Sequence, residues 1–325
     1  MSNRRDFLKN MSLLAAGGIM AGRAGSLAAA PVVSASLSAS GTPSATKQLG
    51  LQTYSLQKEF FDNLPLRMNE LRKMGYVNLE LAGYNEGKIG QVDILEFKKM
   101  ADDAGLHIRS SHVNPSIPGV PYLSDYTREV IPQIKEYWKR TADDHAKIGC
   151  ELLIQPMMPN CRSHEDAALI TEIFNESGKI VKAAGLPFGY HNHHMEFQRL
   201  IKPADRKKEY GFWDKPGDQI YDLFLRDTDP SLVFFEMDVY WTVMGANDPV
   251  EYMRKYPDRI KALHIKDRSV LGQSGMMNFE MIFKQMYANN IGYYFVELEH
   301  MPDGRTQFEG VADCAAYLQK ASFVK

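Results

Sequence analysis

Apolar and polar positions change period repeatedly along the chain from about residue 49 onward. Short strand-like runs occupy positions 49–54, 76–81, 106–113, 151–155, 186–193, 232–237, 260–265 and 293–298. Between them lie longer stretches whose apolar residues recur at helical spacing, at 64–74, 93–104, 126–148, 164–184, 218–226, 249–255, 278–290 and 311–320. Gly105 and Gly185 stand where the second and fourth of these helices should stop, as glycine does after a helix C-terminus. Strands alternating with helices predict parallel strands joined by right-handed crossovers, hence an α/β protein. Eight such units close a (β/α)8 TIM barrel. No GxxxxGK[ST] or GxGxxG loop follows the first run, which argues against a nucleotide-binding open sheet.

The first residues do not share this alternation. Arg4-Arg5 is followed by Phe7-Leu8-Lys9, an apolar stretch from Met11 to Met20, and the small residues Ala28-Ala29-Ala30. The order resembles a twin-arginine export signal, with Asn3 where Ser or Thr is commoner. The expected organisation is therefore a signal peptide at 1–30, a flexible Ser/Ala/Thr/Gly/Pro linker at 31–47 and a single barrel domain at 48–325. The apolar stretch is shorter than the roughly 18–20 residues that cross a bilayer, so no permanent membrane span is expected. The signal implies export to the periplasm by a route that carries folded proteins.

Composition sharpens this picture by exclusion. The 325 residues are 44% hydrophobic and 24% charged, which fits a packed globular chain and not a disordered one. Lys and Arg total 38 against 40 Asp and Glu, a net charge of −2 that offers nucleic acid no bulk attraction. Cys150, Cys161 and Cys314 are too few for a disulfide framework and lack CxxC spacing. Whether Cys150 and Cys161 pair stays open.

Chemistry concentrates at the ends of the later strands, where a barrel of this kind places its active site. The fifth run ends Tyr190-His191-Asn192-His193, the sixth Glu236-Met237-Asp238, the seventh His264-Ile265-Lys266-Asp267 and the eighth Glu297-Leu298-Glu299. Alternation along a strand puts His191 with His193 on one face, and likewise Glu236 with Asp238, His264 with Lys266, and Glu297 with Glu299. Burying that many unpaired ionic groups would cost several kcal/mol each, roughly. One divalent cation held by nitrogen and oxygen donors would relieve the cost. A ligand set without thiolate suits Mn, Zn, Co or Mg, and the residues do not choose among them.

With these residues in view, the chain from about 48 to its end resembles the xylose isomerase-like TIM barrels. This is the sugar phosphate isomerase/epimerase superfamily that also holds inosose dehydratase and ketose 3-epimerases. The motifs that carry the resemblance are Tyr190-His191-Asn192-His193, Met237-Asp238-Val239-Tyr240-Trp241, Arg259 through Asp267, and Val296-Glu297. The resemblance implies one divalent metal held by His193, Asp238, His264 and Glu297. Many relatives carry Glu where this chain has His193, and several carry His where it has Trp241. A two-glutamate proton shuttle is therefore not implied.

A metal on adjacent sugar oxygens polarises a carbonyl and acidifies the neighbouring C–H, and a base then takes that proton to give an enediolate. His191 is the first candidate for the base, Lys266 for stabilising the oxyanion and Glu299 for a second acid/base. Glu80 and His112 are candidate substrate contacts, and Trp241 a candidate apolar wall for a sugar face. The leading expectation is a metal-dependent isomerase or epimerase acting on a small carbohydrate. An elimination on a 3-keto-glycoside by the same site, and an exported barrel that binds carbohydrate without catalysis, remain as alternatives. A DNA-repair barrel would need a basic face that this composition lacks. The oligomeric state is left open.

Overall fold

The computed structural model describes residues 47–120, 124–209, 211, 216–301 and 304–325. The expected signal peptide (1–30), and all of the linker except Lys47, lie outside the described residues. The rest folds as the pattern predicts. Strands β1 (Leu49–Gln52), β2 (Tyr76–Leu81), β3 (His107–His112), β4 (Leu152–Gln155), β5 (Phe188–His191), β6 (Val233–Asp238), β7 (Ile260–Lys266) and β8 (Tyr293–Glu297) form a closed barrel. Every neighbouring pair is parallel, and β1 pairs with β8 to complete the ring.

Each strand is followed by an outer helix: α1 (Leu64–Met74), α2 (Ile94–Asp103), α3 (Ile131–Lys147), α4 (His164–Ala183), α5 (Ile220–Asp227), α6 (Pro249–Lys255), α7 (Phe279–Ala288) and α8 (Gln307–Lys320), with short helices Gln57–Asp62 after β1 and Val239–Met244 after β6 preceding the outer ones. Local signals start and stop them. Ser163 and Asp166 make a reciprocal capping box on α4, and Thr306 and Glu309 another on α8. Gly105 and Gly185 take positive φ (+73° and +85°) just past α2 and α4, as expected for helix stops. A small antiparallel sheet of Tyr84–Asn85, Lys88–Ile89 and Val92–Asp93 follows β2.

Alternation gives the barrel an apolar plug and a polar top. Leu152, Ile154, Phe234 and Ala262 cluster with Tyr293. On the same strand faces, nearer the C-terminal ends, stand Glu236 and Asp238 above Phe234, and His264 and Lys266 above Ala262. Gly189, two residues before His191, leaves room for this plug, since a Cβ there would lie 2.5 Å from the Phe234 ring. Full burial of such a ring stabilises the barrel by about 1.5–3 kcal/mol, which supports the polar layer above.

Several predicted boundaries moved, the largest shift being the third helix, which begins at Ile131 and not at 126. The fifth strand ends at His191, not at 193, because His194 adopts helical angles and a 3-10 turn follows at Met195–Phe197. The last helix begins at Gln307 instead of 311, started by its capping box. Cys150, Cys161 and Cys314 are all buried free thiols. Among the described residues no helix is long and apolar enough to cross a membrane.

Candidate active site

The C-terminal ends of β5 to β8 bring four donors together. One ligand atom from each of His191, Asp238, His264 and Glu297 lies within 4.8 Å of all the others, and all four residues are buried. Register explains the neighbours, since Asp238 pairs across with His264, and Lys266 with Glu297. Asp238 also ends its strand and caps the helix Val239–Met244, so Oδ1 accepts the Trp241 N–H at 2.8 Å. Its other oxygen, Oδ2, is buried without a hydrogen-bond partner. Burial raises the Asp238 carboxyl to about 7, against the pull of Lys266. A buried carboxylate oxygen left without a partner, among nitrogen and oxygen donors of mixed charge, fits a divalent cation.

Lys266 is the ammonium of this layer. Its Nζ lies 2.9 Å from Glu297 and 4.0 Å from Asp238, and it is paired with Glu299. Burial alone would lower its pKa, but Glu297, Asp238 and Glu299 hold it above the ordinary lysine value. Glu297 feels the reciprocal effect. Burial opposes its charge, yet Lys266 and His264 hold it well below the usual carboxylate range.

A second set of contacts lies below. His264 faces Glu297 with Nδ1 at 3.1 Å and Glu80 with Nε2 at 2.7 Å. His112 Nε2 is 2.7 Å from Glu236 and 3.1 Å from Glu80, while His191 Nδ1 is 3.2 Å from Glu236. The histidine rings pack together, with His112 stacked on His264 at 4.9 Å between centroids. Above this floor opens a cavity of about 380 Å³ whose walls include Tyr54, His112, His191, His193, Glu297 and Glu299. That size accommodates a small ligand.

The placement of each expected residue follows. Asp238, His264 and Glu297 meet as a donor group. His193 does not join it; His191 takes the place expected for His193. The physical reason is the end of β5 at His191, beyond which period-two alternation no longer applies. His193 is instead turned to the cavity wall, its backbone N–H donating to Glu196 Oε2 at 2.9 Å. Burial lowers its imidazole to about 4. Glu299 also lies past its strand yet reaches the cavity, as does His112 at the end of β3.

Glu80, expected at the substrate, is fully buried beneath the site and bonded to Gln52, Ser110 and His264. Trp241 stacks over the Lys266 ammonium at 4.9 Å and sits 5.9 Å from the His193 ring. Lys266 forms its close ion pairs with Glu297 and Glu299, and none with Glu236.

Sequence reasoning gave no role to Glu196, which is buried, raised to about 7 by burial, and bonded to the Tyr190 hydroxyl and the His193 backbone. A polar residue three positions beyond a strand-end histidine was the available signal. Of the cavity tyrosines, Tyr54 stands in a 3-10 turn (Thr53–Leu56) directly after β1, and Tyr84 in the small antiparallel sheet after β2.

Known proteins place this geometry. The family profile described as "Xylose isomerase-like TIM barrel" matches residues 68–320. A crystal structure of a sugar phosphate isomerase/epimerase from Parabacteroides distasonis is 60% identical, covering 86% of this chain and 100% of that one, with a TM-score of 0.82. Inosose dehydratase from Clostridium beijerinckii is 26% identical over 284 residues, 74% of this chain and 87% of that protein. D-psicose 3-epimerase from Clostridium cellulolyticum, solved with D-tagatose, shares the fold at 16% identity, covering 85% of this chain and 99% of that one, with a TM-score of 0.64.

Proposed function

The chain belongs to the xylose isomerase-like TIM barrels, and on that premise we propose that it is a divalent-cation-dependent isomerase or epimerase of a small carbohydrate. The observation that carries this reading is the convergence of His191, Asp238, His264 and Glu297 at the floor of an open cavity. These four would hold the cation, with His191 in the role first expected of His193. A bound cation polarises a carbonyl and acidifies the adjacent C–H.

The remaining roles belong to side chains of the wall. His193 has an imidazole kept neutral by burial and is the candidate base for that C–H proton. Lys266 offers a fixed positive charge beside the developing oxyanion. Glu299, at the cavity and paired with Lys266, is the candidate for returning a proton. Return to the opposite face epimerises, and return to the neighbouring carbon isomerises.

A second reading is elimination by the same proton abstraction on a 3-keto-glycoside. The dehydratase name of the Clostridium beijerinckii relative favours it. The export signal read at residues 1–30 favours free or glycosidically linked sugars over sugar phosphates, which are cytoplasmic metabolites.

Incubation of the cation-loaded protein with a panel of keto sugars in D₂O, followed by NMR, tests these readings. Deuterium at an inverted or neighbouring carbon is the expected result. Loss of an aglycone moves the assignment to elimination. A sugar that binds but never exchanges its α-proton removes catalysis altogether and leaves a binding barrel.

A further inference from the structure

We propose that Glu80 and Glu236 are positioning carboxylates that hold the two imidazole ligands from beneath, Glu236 taking the far N–H of His191 and Glu80 that of His264. The inference rests on the cation reading above and adds to it the residues that set how each ring meets the cation.

A neutral imidazole carries one N–H, so a nitrogen that binds a cation must leave the proton on the other nitrogen. In His264 the two nitrogens face opposite ways. Nδ1 faces Glu297, which belongs to the donor group, while Nε2 lies 2.7 Å from Glu80 Oε1 and 3.1 Å from Glu236 Oε2. In His191 it is Nδ1 that lies 3.2 Å from Glu236 Oε2, within ion-pair reach although no hydrogen bond is closed, below a ring that borders the cavity. A carboxylate behind a ligating histidine fixes the tautomer, restrains the ring plane and raises the basicity of the ligand nitrogen.

The environment of each carboxylate matches this role. Both are fully buried, where an unpaired carboxylate would not stay charged. Glu80 is surrounded by hydrogen-bond donors: the Gln52 amide at 3.1 Å, the Ser110 hydroxyl at 2.9 Å, and the His264 ring. An acceptor already committed to neutral donors on both oxygens is built to receive hydrogens and is a poor ligand for a cation of its own. Glu236 directs all its contacts through Oε2, toward His112 at 2.7 Å and the two ligand histidines, and leaves Oε1 without a partner. His112 lies between the two carboxylates and completes the layer.

The test is a Co²⁺ titration of the metal-stripped full chain, read by the visible d–d spectrum and by metal analysis. Wild type should bind one Co²⁺. Glu80→Gln and Glu236→Gln should each still saturate at one, with affinity about 10–100-fold weaker and altered d–d bands. Glu236→Asp, which keeps the charge, should recover part of the loss. Affinity unchanged in both glutamine variants overturns the proposal. So does a wild type that binds two Co²⁺ and variants that bind one, since the lower residues would then be ligands themselves. A wild type that binds none overturns the cation reading instead. If circular dichroism shows that the glutamine variants fail to fold, Gln52→Ala and Ser110→Ala decide the matter. Each loosens Glu80 without removing it and should weaken Co²⁺ by roughly 2–10-fold, the worth of one neutral hydrogen bond. No change there overturns the role of Glu80.

Discussion

His191 and His193 are two residues apart in a motif where only one can serve the cation, and their fates differ because a strand ends between them. His191 is the last residue of β5 and shares a donor group with Asp238, His264 and Glu297, whereas His193 has turned toward the cavity wall. His191→Ala should therefore lose most bound metal, while His193→Ala should keep full stoichiometry and lose α-proton exchange. Metal analysis and NMR in D₂O check both, and the opposite pattern would exchange the roles again. Asp238, His264 and Glu297 were legible in the sequence because each lies within a regular strand, where period two holds to the last residue. Glu80 was legible as inward-facing but not as deep. Alternation gives the side of a strand, and only the closed barrel gives the height, which puts Glu80 beneath His264 and out of reach of substrate.

At the scale of elements, helix α3 is tied to the barrel by a buried histidine that the proposed mechanism leaves unused. His145 is bonded at both nitrogens, Nδ1 donating to the Thr141 carbonyl at 2.7 Å and Nε2 accepting from the Ser111 hydroxyl on β3 at 2.9 Å. Tyr84 packs on its ring at 4.6 Å, and the Tyr84 hydroxyl is bonded to Asp144. Burial lowers this imidazole from 6.5 to about 4, so the native barrel holds it neutral. The unfolded chain binds a proton here below about pH 6.5 and the folded one only near pH 4, so stability rises with pH across that window and falls as acid is added. The loss between neutral pH and about pH 5 should be roughly 2 kcal/mol. Urea unfolding at the two pH values should show a flatter dependence for His145→Gln than for wild type. Equal slopes would mean that His145 contributes nothing to the acid sensitivity. This pairing of α3 with β3 was not legible, because a histidine near a helix end reads equally well as a solvated residue. The start of α8 was legible in principle. Thr306-x-x-Glu309 is a capping box, but Gly310 interrupts the apparent helix. That glycine sits where a Cβ would come 2.3 Å from Met301 Sδ and 2.5 Å from Leu298, so close packing and not a helix start explains it.

For the whole molecule, the consequence of this architecture is that the proposed cation site can form only when the barrel has closed. His191, Asp238, His264 and Glu297 come from four strands spread over more than a hundred residues of sequence, and β8 is held in place by its pairing with β1. The unfolded chain cannot assemble them, so a cation bound at the proposed site would stabilise the native state by linkage. Strands β2, β6 and β8 gather Glu80, Glu236, Asp238 and Glu297, with Lys266 beside Asp238 and Glu297 and the His112 and His264 rings beside Glu80 and Glu236, so without a cation these buried carboxylates depend on one ammonium and on protons for balance. Binding should therefore raise the melting temperature. At a free concentration near 100 times Kd the stabilisation is about 2.7 kcal/mol, which for a domain of this size is a rise of roughly 4–5 °C. Differential scanning calorimetry of the EDTA-treated protein, with and without added Mn²⁺, measures it. Asp238→Asn is the informative control, because it keeps the shape of the side chain and its cap on the following helix while removing the charge of a ligand. The rise should shrink to near zero in that variant. A rise of equal size in wild type and Asp238→Asn would mean that the cation acts elsewhere on the molecule. No rise in wild type would mean that the buried carboxylates are balanced by protons instead.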